Sequence, residues 1–120
     1  MATTAITKDT FSSTIDSNDV VLVDFWAGWC GPCMRFAPIY EEASERHDDV
    51  VFAKVDTEDQ QELSAGLEIT SIPTLMAFRD GYLVFRQAGL LQGKQLDELI
   101  DQVKALDPEE LKKQSEAQKA

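Results

Sequence analysis

Metal-binding side chains are scarce in this chain of 120 residues, which has one histidine, His47, and two cysteines, Cys30 and Cys33. A four-ligand zinc site of the Cys/His kind cannot be assembled from them. Nor can the several bridges of a secreted disulfide scaffold. Basic residues are also few, eleven against twenty-two acidic ones, for a net charge of −11. Such a surface repels phosphate backbones and anionic lipids, so neither nucleic acid nor a membrane surface is an expected partner. No apolar run approaches the roughly 20 residues that cross a bilayer. Met1 to Thr14 hold no apolar stretch of the signal-peptide kind. No glycine-rich nucleotide fingerprint is present, and there are no repeats or linkers. The expectation is one domain in a soluble, reducing compartment, by default the cytoplasm. An organellar chain stripped of a transit peptide would look the same.

What the chain does have is a core, with 43% of its residues hydrophobic, and one stretch around which the rest is organised. Val20-Val21-Leu22-Val23-Asp24-Phe25-Trp26 is β-branched and aromatic at both parities. That pattern predicts a strand buried on both faces, as at the centre of a parallel sheet. Ala27-Gly28-Trp29 makes a turn, Cys30-Gly31-Pro32-Cys33 follows, and a helix is expected to run on to about His47. Residues three apart on a helix share a face. A small adjustment of the first turn brings two such cysteines within disulfide range. Cys30 would sit at the helix N-terminus, where free N–H groups and the dipole favour an anion. A thiolate is that anion and also the nucleophile. Pro32 suits the first turn because it has no N–H to leave unpaired.

Along the chain, Ala5–Thr7 reads as a short edge strand, and Thr7 as the cap of a helix over Lys8–Asp16. The helix after the cysteines carries Phe36, Ile39, Tyr40 and Ala43 on one face, and Pro38 inside it should kink it. His47 reads as a solvated helix-end residue with no role. Val50–Asp56 is a strand, which completes a right-handed βαβ unit. Asp59 can cap a helix to about Leu67. Leu75–Phe78 is a strand, Asp80-Gly81 a hairpin turn, and Tyr82–Gln87 the returning strand. A helix from Gly93 to Leu106 presents Leu96, Leu99, Ile100 and Val103 on one face. Asp107 and Pro108 start a further helix signal, read as a frayed, polar helical tail. The domain is expected over residues 1–107 and the tail over 108–120. The element order β-α-β-α-β-α-β-β-α gives a mixed sheet with helices on both faces.

Trp29-Cys30-Gly31-Pro32-Cys33 resembles the active-site motif of the thioredoxin family. So do Ala53-Lys54-Val55-Asp56, Ser71-Ile72-Pro73-Thr74 and Gly89 after the last strand, and the likeness covers about Ala5 to Leu106. The resemblance implies a thioredoxin-like three-layer α/β/α sandwich and a protein-disulfide reductase. In that reading Cys30 is the nucleophile and Cys33 the resolving thiol. Asp24 is a buried aspartate that exchanges protons with Cys33, and Lys54 tunes it. Pro73 follows a cis bond and faces the disulfide. Trp29, Gly31, Pro32, Ile72, Gly89 and Leu90 form with it the docking patch for a substrate strand. Trp26 and Pro38 are structural. Thioredoxin reductase is the implied partner. FAD and NADPH belong to that partner, and the chain itself binds no cofactor. Protein disulfides are its substrates, and it acts as a monomer. Three residues depart from the family pattern: Met34 stands where a Lys or Arg usually follows the second cysteine, with Arg35 one place on. Thr57 replaces an apolar residue, and Gln92 a serine-type cap. Three other readings stay open: an oxidase or isomerase on the same fold, a binding module using the apolar patch, and a metal half-site shared across a dimer.

Overall fold

Val20 to Trp26 forms the central strand, with six of its seven residues buried. The computed structural model describes residues 2–119, and side chains as far as Glu116. Met1 and Ala120, the outer ends of the expected domain and tail, lie outside the described residues. The elements are β1 (Thr3–Ala5), α1 (Phe11–Asp16), β2 (Val20–Trp26), α2 (Gly31–Arg46), β3 (Val51–Asp56), α3 (Gln61–Gly66), β4 (Thr74–Arg79), β5 (Tyr82–Ala88), α4 (Gly93–Ala105) and α5 (Pro108–Lys119). Five strands make one sheet in the order β1-β3-β2-β4-β5. β1, β3 and β2 run parallel, and β4 and β5 complete the sheet antiparallel. This is the expected mixed sheet, with β2 at its middle.

Strand alternation divides β2 between two cores. Val20 and Leu22 pack with Phe36, Tyr40 and Ala43 of α2 and with Leu96, Ile100 and Val103 of α4. Val21, Val23 and Phe25 pack on the opposite face with Ile6, Ile15 and Met76. Both faces being covered is why the strand is apolar at both parities. Asp80 and Gly81 have φ of 54° and 87°, the pair of positive values that a tight two-residue hairpin needs.

Several boundaries differ from expectation. The first strand is Thr3–Ala5 rather than Ala5–Thr7, because the ladder pairs Thr3 with Phe52 and Ala5 with Lys54. Ile6 then leaves the strand and enters the core. Thr7 does not cap a helix over Lys8–Asp16. Its carbonyl accepts from the Thr10 and Phe11 N–H groups, closing a turn, and α1 starts at Phe11. Asp59 does not cap α3; Gln60 holds that position, and its amide donates to the Asp59 carboxylate. His47 is not solvated. Its ring bonds Asp97 at 2.8 Å and, with Arg46, ties the end of α2 to α4. The tail is helical, as its signal implies: Asp107 Oδ1 accepts from the Glu109 N–H at 3.0 Å, and none of the described α5 side chains is buried.

Candidate active site

The β2 strand delivers its carboxyl end to Ala27-Gly28-Trp29, and α2 begins at Gly31. Cys30 and Cys33 are joined there as a disulfide, with Cα atoms 5.2 Å apart. Cys30 is the N-cap of α2. Its sulfur accepts the Cys33 backbone N–H at 3.2 Å, one of the donors that a helix start leaves free. The same geometry suits a thiolate in the reduced protein. Pro32 occupies the first turn, as expected. Cys30 is 4% exposed and Cys33 1%. Both cysteines are buried, while Gly31 and Pro32 between them are exposed.

Trp29 is 71% exposed beside the disulfide, and its indole N–H donates to Glu58. The Ile72–Pro73 peptide is cis. The Ile72 carbonyl oxygen lies 3.7 Å from Cys30 Sγ, and Ile72 packs on the disulfide. A shallow cavity of about 180 Å³ opens between Trp29, Thr57, Ile69, Thr70, Ser71 and Ile72. Gly89 has φ of 99°, which a side chain would resist, and its N–H donates to the Pro73 carbonyl at 2.8 Å. That bond holds the Gly89 turn against Pro73. Leu90 turns partly inward and packs on the α2/α4 core.

Asp24 is 1% exposed, and neither carboxylate oxygen has a hydrogen-bond partner. Alternation puts it on the face of Val20 and Leu22, toward α2. Burial raises its pKa from 3.8 to about 7, and the Lys54 charge pulls the other way. Lys54 pairs with Asp24 in the ladder. Its ammonium stands over the Trp26 ring, 4.9 Å from the centroid. Tyr40 lies on the same side. Burial first, then the Asp24 charge, holds its hydroxyl protonated well above the usual range. Pro38 sits inside α2, which runs unbroken to Arg46.

Three contacts escaped the sequence reading. Glu58 receives the Trp29 indole, a partner 29 residues away that only the fold brings close. Thr57, a departure from the family pattern, bonds the Trp26 carbonyl through both its N–H (2.9 Å) and its hydroxyl (3.0 Å), fixing the end of β2. Tyr40 donates to the Ala53 carbonyl at 2.8 Å. Its apolar helical spacing marks it as core and conceals the polar end. Gln92, the third departure, still closes half of a cap, since its N–H donates to Gln95 Oε1 at 3.0 Å.

A vicinal dithiol that closes at the start of a helix beneath a central strand is the working part of a thiol–disulfide oxidoreductase. Residues 2–105 match the family model described as Thioredoxin. A "Putative thioredoxin 2" of Streptomyces coelicolor is 47% identical over 119 residues, covering 99% of this chain and 89% of that protein. The "Thioredoxin" of Mycobacterium tuberculosis is 44% identical over 110 residues, covering 88% and 94%. Among solved structures, a mutant thioredoxin from Halobacterium salinarum superposes with a TM-score of 0.81 at 34% identity, covering 88% and 94%. The chain belongs to the thioredoxin family, and its Cys30–Cys33 pair makes it a protein-disulfide oxidoreductase.

Proposed function

We propose that the chain works in the reducing direction, as a cytoplasmic, monomeric protein-disulfide reductase recharged by thioredoxin reductase. What supports this direction is the match to thioredoxins; what supports Cys30 as the attacking thiol is the Cys33 N–H aimed at its Sγ at the head of α2. It suits Cys30 as the thiol held as an anion. Cys30 thiolate attacks one sulfur of a target disulfide. The target S–S bond breaks, a Cys30–target mixed disulfide forms, and one target thiolate leaves and takes up a proton. Cys33 then loses its proton to Asp24 and attacks Cys30 Sγ. The Cys30–target bond breaks, the second target sulfur leaves as a thiolate and takes up a proton, and the Cys30–Cys33 disulfide remains. Two electrons have passed to the target. The second step is intramolecular and gains from proximity.

Asp24 suits the proton role because its raised pKa, about 7, lies near neutral pH. Lys54 sets how far burial raises it. Trp29, Gly31, Pro32, Ile72, Pro73, Gly89 and Leu90 receive the target segment. The Ile72 backbone beside Cys30 Sγ is placed to pair with an extended chain. Trp26 supports this end of the sheet by carrying Lys54 on its ring, and Pro38 shapes α2 behind the cysteines. FAD and NADPH act within the partner reductase, and this chain supplies only the dithiol. Residues 1–107 form the working domain, and 108–120 a short polar tail. Neither nucleic acid nor a membrane takes part.

The test is NADPH oxidation with a flavin-dependent thioredoxin reductase, this chain and a disulfide-containing protein. Turnover requiring all three is the expected result. Reduction by a chemical dithiol but none through the reductase would overturn the assigned partner.

A further inference from the structure

Arg35 lies near the start of α2, and among the described residues no acid pairs with it. It lies four residues past Gly31, so the two share a face of α2. Its side chain runs back toward the helix start. Nη1 lies 3.6 Å from the point where a side chain on Gly31 would begin. Gly31 directly follows Cys30, so the guanidinium stands at the turn that carries the sulfur. A cation there faces the positive end of the helix dipole and is disfavoured unless an anion shares the place. Yet the first turn of α2 contains no acidic residue. The ion pairs among the described residues use Lys8, Arg46, His47 and Lys104, and not Arg35.

We propose that Arg35 is a positioning residue whose charge completes the anion site of the reduced Cys30 thiolate. The proposal rests on Cys30 being the attacking thiol. Three influences then converge on that sulfur: the Cys33 N–H at 3.2 Å, the helix dipole and the Arg35 charge. Arg35 exchanges no proton and forms no bond. Cys30 gives its proton to solvent, and the cation favours the charged product. Met34, next to Cys33 and 41% exposed, brings no charge. Arg35 therefore supplies from one position later, by reaching back, what Met34 does not. The other ionisable groups around the pair are Cys33 on the same helix, Asp24 on β2, Lys54 on β3, and Glu58, which is bonded to Trp29. The Ile69–Pro73 segment, which also packs here, has none.

The test is the Cys30 thiol pKa in the Cys33→Ser protein, where one thiol titrates, read from thiolate ultraviolet absorbance. An exposed charge acting through a water-like medium is expected to move a neighbouring pKa by about half a unit. Arg35→Ala should raise the Cys30 pKa by about that much, Arg35→Glu by about one unit, and Arg35→Lys should restore most of the loss. Salt near 1 M, where screening acts within about 3 Å, should erase the differences. A depressed pKa in the parent that does not move in Arg35→Ala overturns the proposal, and so does a shift that high salt leaves intact. A parent pKa near the ordinary value of about 8.5 overturns instead the reading of Cys30 as the activated thiol.

Discussion

Asp24 and Lys54 are register partners across the β2–β3 ladder, yet they do not close an ion pair. The ammonium lies over the Trp26 ring, and both Asp24 oxygens are buried with no hydrogen-bond partner. Desolvation therefore outweighs the lysine charge, and the Asp24 pKa stands at about 7 rather than 3.8. The folded chain holds this proton more tightly than the unfolded chain does. Stability attributable to Asp24 is intact below pH 3.8 and falls as pH rises through 7. A shift of about three units corresponds to a cost of about 4 kcal/mol once Asp24 is ionised.

Asp24→Asn removes that cost. The variant should be more stable than the parent at pH 8 and nearly level with it at pH 4, as read from urea midpoints. It should also resolve mixed disulfides more slowly at neutral pH, since Cys33 loses its proton acceptor. A stability difference that is the same at both pH values would show that Asp24 does not titrate as described.

Lys54→Met removes the one influence that lowers the Asp24 pKa. The Asp24 carboxyl should then titrate above 7, and its pH-dependent loss of stability, which still begins near 3.8, should extend to more alkaline pH and grow larger. The direct measurement is the NMR titration of the Asp24 side-chain carbon. A downward shift would contradict the placement of the Lys54 charge near Asp24.

The division of labour between the cysteines is open to trapping. Cys33→Ser should accumulate covalent mixed disulfides with oxidised proteins, because the resolving thiol is gone. Cys30→Ser should trap little. Non-reducing gels read both, and the reverse pattern would exchange the two roles.

Tyr40 is buried at 0% exposure, and its hydroxyl reaches the Ala53 carbonyl at 2.8 Å. Tyr40→Phe keeps the ring packing against Phe36 and Phe52 and removes only that bond. The expected loss is about 1 kcal/mol in chemical denaturation. A neutral result would mean that the Ala53 carbonyl does not need the bond.

The central elements were legible because their sequence signals agree with their packing. β2 is apolar at both parities since both faces are covered. α4 shows Leu96, Leu99, Ile100 and Val103 at helical spacing, and all four are buried. The Asp80-Gly81 turn follows from its positive φ values. The ends of the chain were harder to read. β1 is three residues long and takes its position from β3, so its own β-branched residues misplace it by two. His47 looked idle because Asp97, which bonds it, lies fifty residues on. At the site the motif marks the cysteines, while Glu58, Thr57 and the returning Arg35 side chain depend on three-dimensional placement. Pairing across strands and side-chain reach are non-local, and a linear pattern does not carry them.

The most direct measurement of the central claim is the reduction potential of the Cys30–Cys33 couple, equilibrated against glutathione. A disulfide reductase of this family belongs near −270 mV, well below the glutaredoxins at about −200 to −230 mV. A value close to that low end is the prediction. A value between about −180 and −120 mV, where isomerases and disulfide-donating oxidases lie, would contradict it, because electrons would then flow from substrate thiols into this protein.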